Sequence, residues 1–300
     1  MLKRILQPYF VWRPGQIIRA IRTKIAGLPK ESATIRRPWG AVLRFPTHDY
    51  IGHHLSMHGI IAIEACEAAA RLLDEGETAV DAGANVGTVC SIMANRAGKT
   101  GLVKAFEMMP PTYAYLKENV QAWKECCPNV EAYQCALSDC ESVINIGLSP
   151  DFQVNTGVAY ATRGEVHPGH QVTTAQARRL DSFFSSKDTI HFLKLDVERH
   201  ELEVLRGAGS LLTEGRIRDI VFEDAALADS SVKQLLRSHG YTLLTMCTGL
   251  SRIDLMPFQL FNKEWNEADG YCDYLATRDV KRTMERWAKG RYYCLSAARH

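Results

Sequence analysis

The residues most able to do chemistry in this chain are an acid, a glycine-rich turn and a second acid beyond it. Residues 80–87, Val-Asp-Ala-Gly-Ala-Asn-Val-Gly, place small residues where an apolar stretch gives way to a helical pattern. Glycine permits a tight turn and a close approach of backbone to a ligand. A helix N-terminus beyond such a turn offers unpaired N–H groups. A pyrophosphate-binding turn follows G-x-G-x-x-G, but here Asn85 and Thr88 stand where the second and third glycines belong. Asp81, two residues before Gly83, would repel a pyrophosphate and suits a sulfonium cation beside an amino group. Twenty residues after Gly87, the next apolar stretch ends at Glu107, and a carboxylate at a strand end accepts both ribose hydroxyls. Asp81, Gly83, Ala84, Asn85, Gly87 and Glu107 thus form a candidate S-adenosylmethionine site. A ligand-free βα turn and a nicotinamide-dependent oxidoreductase are the alternatives.

A second group of acids follows a later apolar run, His191–Val197. In open α/β sheets ligands lie beyond the carboxyl ends of the strands, which puts Asp196, Glu198 and Glu223 around an acceptor. Asp196 is the first choice as base or acceptor-orienting group, Glu198 the next; His200 comes third and is expected as a surface residue opening a helix. Three carboxylates can also supply oxygens to Mg²⁺, but no metal motif accompanies them and no metal is assigned. His54 and His58, four apart, could share a helical face and bind zinc; with no further ligand nearby, a solvated or substrate-lid segment is the better reading. Residues 151–169 show no period and are expected to form a long loop, where Tyr160 and His167, with His170 just beyond, could touch substrate.

The elements that must position these residues alternate. Strands are expected at 78–81, 102–106, 130–135, 191–197, 219–223, 241–246 and 272–277. Helices are expected at about 60–73, 87–97, 111–125, 201–212 and 230–238, with a short hairpin strand at 142–148 and another strand at 39–45. Such alternation signals βαβ units and a mainly parallel sheet. The chain divides into a basic amphipathic extension and linker (1–40), an α/β domain (41–280) and a C-terminal helix or tail (281–300).

Charge is uneven. Residues 1–40 hold nine Lys or Arg against one acid, a net +8 in a chain whose formal total is +2. Ile17, Ile18, Ile21, Ile25 and Leu28 form a helical stripe within that segment. Packing on the main domain or on a second subunit is the simpler reading; weak contact of residues 15–28 with an anionic membrane is the alternative, and no nucleic-acid partner is expected. Nine cysteines without a C-x-x-C fit reduced thiols in a cytoplasmic enzyme. No transmembrane run or cleavable signal is evident.

Several blocks together resemble the FkbM family of adenosylmethionine-dependent methyltransferases: VDAGANVG (80–87), FEMMPPTYAYLKENV (106–120), ALSD (136–139), RLDSFF (179–184), LKLDVERHELEVLRGA (193–208) and IVFED (220–224). The resemblance implies a class I Rossmann-like fold with a mostly parallel seven-stranded sheet and helices on both faces. It also implies S-adenosylmethionine as methyl donor and transfer to a hydroxyl, as on a sugar, a glycan or a small natural product. On its terms Asp81, Gly83, Asn85 and Gly87 line the methionine and ribose, Glu107 holds the diol, and Ser138 with Asp139 sits near the adenine. One departure stands out: Arg199 occupies a position where the family usually has glycine.

Overall fold

The computed structural model describes residues 7–28, 31–148, 159–162, 169–224, 229–258 and 272–295. The expected start at 1–6, the tail at 296–300 and most of the expected loop at 151–169, His167 included, lie outside them.

The described residues open with two helices, α1 (Pro8–Trp12) and α2 (Gly15–Ala26), then an antiparallel pair, β1 (Ser32–Arg36) and β2 (Val42–Pro46). Residues 32–36, read from sequence as linker, are therefore a strand. Helix α3 (Tyr50–His58) follows, capped by Asp49, whose Oδ1 accepts the Gly52 N–H at 2.7 Å. The histidine-rich segment is this helix. His54 and His58 share its face with ring centroids 4.2 Å apart, and Tyr9 packs on His58 at 4.8 Å. Burial and the neighbouring His58 push His54 down to about 4, and burial lowers His58 as well.

After α4 (Ile63–Leu72) the expected alternation begins: β3 (Thr78–Ala82), α5 (Thr88–Ala97), β4 (Leu102–Phe106), α6 (Pro110–Ala122) and β5 (Val130–Tyr133). It resumes with β10 (Ile190–Leu195), α7 (Glu201–Gly207), α8 (Gly209–Thr213), β11 (Ile217–Asp224), α9 (Ser231–Ser238) and β12 (Thr242–Thr248). The last elements are β13 (Ile253–Pro257), β14 (Cys272–Thr277) and α10 (Val280–Trp287). The sheet runs β13-β12-β14-β11-β10-β3-β4-β5, with β5, β4, β3, β10 and β11 parallel and β14 antiparallel to both of its neighbours. It is mostly parallel and Rossmann-like, as expected, but it has eight strands rather than seven. The extra strand, β13, is a five-residue hairpin partner of β12, too short to announce itself by pattern.

Strand period 2 sends successive side chains to opposite faces, and both faces are covered. Ala79, Phe192 and Val221 join one core with α4 and α5; Val80, Leu193, Leu195, Ile220 and Phe222 join the other with α7, α8 and α9. A second sheet between the two halves, β6 (Ala136–Leu137), β7 (Ser142–Leu148), β8 (Ala159–Thr162) and β9 (Gln171–Arg178), has order β6-β9-β7-β8. Residues 159–162, expected as loop, are thus its edge strand.

The C-terminal segment is tied down by a buried ion pair on α4. Glu67 and Arg71 meet at 2.7 Å with side chains at most 1% exposed. The Arg71 guanidinium donates to the carbonyls of Arg286, Lys289 and Arg291, while the Glu67 carboxylate accepts the N–H groups of Tyr293 and Cys294. No disulfide joins the cysteines of the described residues.

Candidate active site

Parallel pairing of β3 and β10 sets Asp81 beside Lys194 and Ala82 beside Leu195. Beyond β3 the chain turns through Gly83 (φ 76°), Asn85 (φ 50°) and Gly87 (φ 93°). Gly83 is constrained twice, because a Cβ there would lie 1.9 Å from the carbonyl oxygen of Asp196. The Asn85 Oδ1 accepts the Val86 N–H at 2.8 Å, a local bond that supports a left-handed residue.

Glu107 sits at the end of β4. Its two oxygens accept backbone N–H groups, Oε2 from Asn85 at 3.0 Å and Oε1 from Met109 at 2.8 Å. Burial raises its carboxyl to about 7 against the pull of these bonds. Each oxygen keeps a lone pair, so a diol donating two O–H groups can complete the set.

Sequence reasoning missed Lys194. Its ammonium lies 3.2 Å from Asp81 Oδ1 and 3.3 Å from Asp196 Oδ2, and donates to the Gly83 carbonyl at 2.7 Å. The only sign in the sequence was a cation inside an apolar strand, which reads as an interruption until the neighbouring strand supplies its acid. Burial lifts the Asp81 carboxyl and Lys194 draws it back; burial also works to lower the lysine, but Asp196 and Asp81 together hold it above its ordinary range.

The expected acids do converge. Asp196 follows β10, with its side chain 40% exposed. Glu198 and Arg199 come next in left-handed backbone, φ 52° and 68°; Arg199, where the sequence resemblance implies glycine, thus adopts a conformation that glycine favours. Burial, then the nearby Asp196 and Glu223, pushes Glu198 up to about 8; burial and Asp196 raise Glu223 to about 7. Glu201, opening α7, is raised to about 7 by burial. Asp273 of β14, paired in register with Glu223, was also missed; burial and the surrounding Glu64, Glu223 and Asp196 drive it well above the carboxylate range. Among the described residues, no group of three or more His, Cys, Asp or Glu side chains is arranged to hold a metal ion.

His200 does not lie on the surface. It is 5% exposed, its Nε2 is 3.0 Å from Ser138 Oγ, and its Nδ1 faces Glu203 at 3.7 Å. The RLDSFF block supports this region from behind. Arg179 donates to the Asp139 carbonyl at 3.0 Å, and Asp181 accepts the Ser210 and Leu211 N–H groups at the start of α8.

A cavity of about 380 Å³ joins these parts. Gly83, Ala84, Asn85, Glu107, Asp196, Glu198 and Glu223 line it, together with Lys194, His200 and Asp273. Asp81, Gly87, Ser138 and Asp139 stand behind the lining; the segment before them, Cys135 to Leu137, contributes the wall instead. Ala159 and Ala161 of β8 also line it, so Tyr160 between them, expected to touch substrate, is directed to the other strand face and meets His170 at 3.3 Å.

Residues 81–243 match the family described as the methyltransferase FkbM domain. The chain is 25% identical over 226 residues to Methyltransferase 1 of Beauveria bassiana, covering 69% of this chain and 88% of that protein. It is 27% identical over 202 residues to the AMB antimetabolite synthetase AmbE of Pseudomonas aeruginosa, covering 54% of this chain but spanning only 9% of that protein. Among solved structures, it is similar to the methyltransferase FkbM from Methylobacillus flagellatus, with 15% identity, a TM-score of 0.41 and coverage of 81% of this chain and 48% of that one. An S-adenosylmethionine-dependent O-methyltransferase from Thermotoga maritima is 12% identical, with a TM-score of 0.42 and coverage of 82% and 78%.

Proposed function

This chain belongs to the FkbM methyltransferase family, and from that premise we propose that it moves a methyl group from S-adenosylmethionine to a hydroxyl oxygen of a sugar, glycan or small natural product. The observation that carries the reading is one cavity lined by two chemically distinct sets of residues: the Gly83–Asn85 turn with Glu107, and the acids Asp196, Glu198 and Glu223. Its volume, about 380 Å³, lies within the range of small-molecule sites.

The residues fit the donor. Glu107 takes the ribose diol, the backbone of 83–85 lies along the ribose and methionine, and Cys135 to Leu137 form the wall beside the base. Ser138 and Asp139 act from behind that wall. Asp81 helps fix Lys194 and so holds the ends of β3 and β10 in place. When bound, the donor supplies an electrophilic methyl on a sulfonium, which an acidic enclosure favours.

The acceptor end must orient a hydroxyl and remove its proton. Positioning supplies most of the acceleration in such a displacement. Glu223, raised to about 7, is poised as the base because general bases work best near the operating pH. Asp196, held by Lys194, orients the hydroxyl, and Glu198 at its strained turn shapes the mouth. Donor affinity measured by calorimetry, followed by methyl-labelled donor turnover on hydroxylated acceptors, tests the reading. Unchanged donor binding in Glu107→Ala, or label appearing only on nitrogen, would sink it.

A further inference from the structure

The isoleucine stripe of the N-terminal helix does not pack as a single face. Ala20 turns inward and is 7% exposed, while Ile18, Ile21 and Ile25 are 58%, 51% and 82% exposed. At 100° per residue these three lie within about 60° of one another on the side of α2 opposite Ala20. Arg22 borders them and Lys24 lies further round; both are exposed. On α1, Val11 and Trp12 are also exposed, and the Trp12 indole donates to the carbonyl of Leu250, itself exposed in the β12–β13 turn.

We propose that this face of α1 and α2 docks on an anionic lipid surface, with Ile18, Ile21 and Ile25 entering the acyl boundary and Arg22 and Lys24 engaging headgroup phosphates. Charge complementarity selects that occupant. Outward isoleucines alone would suit any apolar partner, but here the exposed cations Arg22 and Lys24 flank them and the helix carries no acid, while residues 41–300 are net acidic. A helix in the interface plane combines an apolar strip, flanking cations and an amphipathic tryptophan, and all three are present. Anionic lipid attracts each nearby cation, whereas a second copy of this chain would bring the same positive charge against it. The orientation has a consequence for the cavity. Helix α2 packs on α3, which contributes Tyr50 and Ile51 to the lining. Docking would therefore bring the lipid surface close to a wall of the site. The proposal does not depend on the methyl-transfer reading.

Full-length protein sedimented with vesicles of phosphatidylcholine, with and without phosphatidylserine, tests it. Binding is expected only to the anionic vesicles and should fall with added salt. Arg22→Gln and Lys24→Gln should each lower the partition about fivefold. Ile21→Ser with Ile25→Ser should lower it about tenfold or more, with an unchanged thermal melt because those side chains are already exposed. Equal binding to both vesicle types, or none, overturns the proposal. So does nucleic-acid retention that survives the isoleucine substitutions, or a dimer that those substitutions disperse without any vesicle binding by the unaltered protein.

Discussion

Lys194 and Asp81 face each other from adjacent parallel strands at 3.2 Å, neither side chain more than 5% exposed, with Lys194 in the cavity wall and Asp81 behind it. Removing one member of a buried pair strands the other charge, which costs about 3–5 kcal/mol. Lys194→Met is therefore expected to lose stability of that order in urea unfolding. Lys194→Met combined with Asp81→Asn should recover much of it. A single substitution costing under about 1 kcal/mol would show that the pair does not organise this region.

Four acids, Glu107 and Glu201 buried and Glu198 and Glu223 partly so, set a pH dependence. Glu107, Glu201 and Glu223 are raised to about 7 and Glu198 to about 8, from an ordinary 4.5. Between those values the folded protein binds more protons than the unfolded chain, so stability falls as pH rises. The protein without ligand should thus melt at progressively lower temperature from about pH 5 to pH 8. Glu198→Gln and Glu223→Gln should flatten that slope. A melting temperature that climbs through this range contradicts the assignment.

The same acids should respond to a cation. Glu198 and Glu223 are raised partly by mutual repulsion with Asp196, and an opposite charge nearby favours the ionised form. Donor binding near pH 7 is therefore expected to release protons. Calorimetry in two buffers of different ionisation enthalpy reads the number released, and Glu198→Gln should reduce it. Zero release would place the sulfonium away from these carboxylates.

Gly83 and Gly207 have no room for a Cβ. A Cβ on Gly83 would meet the Asp196 carbonyl oxygen at 1.9 Å, and one on Gly207 would meet the Ser138 carbonyl oxygen at the same distance. Both neighbours are backbone, so the cost is overpacking of about 1–3 kcal/mol. Gly83→Ala, already at φ 76°, should also abolish donor binding. Gly207→Ala should weaken it by displacing the 136–139 segment. Unchanged melting in both variants would contradict the close packing.

The Glu67–Arg71 pair predicts a local effect. Glu67→Ala leaves Arg71 uncompensated and frees the N–H groups of Tyr293 and Cys294. Limited proteolysis should then clip beyond Trp287 before the α/β body is cut. Simultaneous loss of both would argue that the segment and the body unfold as one.

What was local in the chain was legible from its order. Turn chemistry at Gly83, Asn85 and Gly87 is written in adjacent residues, and strand and helix periods differ enough to be counted. The acids at strand ends, Glu107, Asp196, Glu198 and Glu223, follow from the rule that such ends meet at one edge of a parallel sheet. Tertiary structure decided everything that depends on register between distant segments. Lys194 became a buried partner of Asp81 only when β10 was laid against β3. His200 became buried only when α7 met Ser138, and residues 159–162 became a strand only through pairing with β7. The isoleucine stripe was visible as a period, but a period does not say which side the body covers. That is fixed by what packs against the helix, and here it leaves Ile18, Ile21 and Ile25 outside.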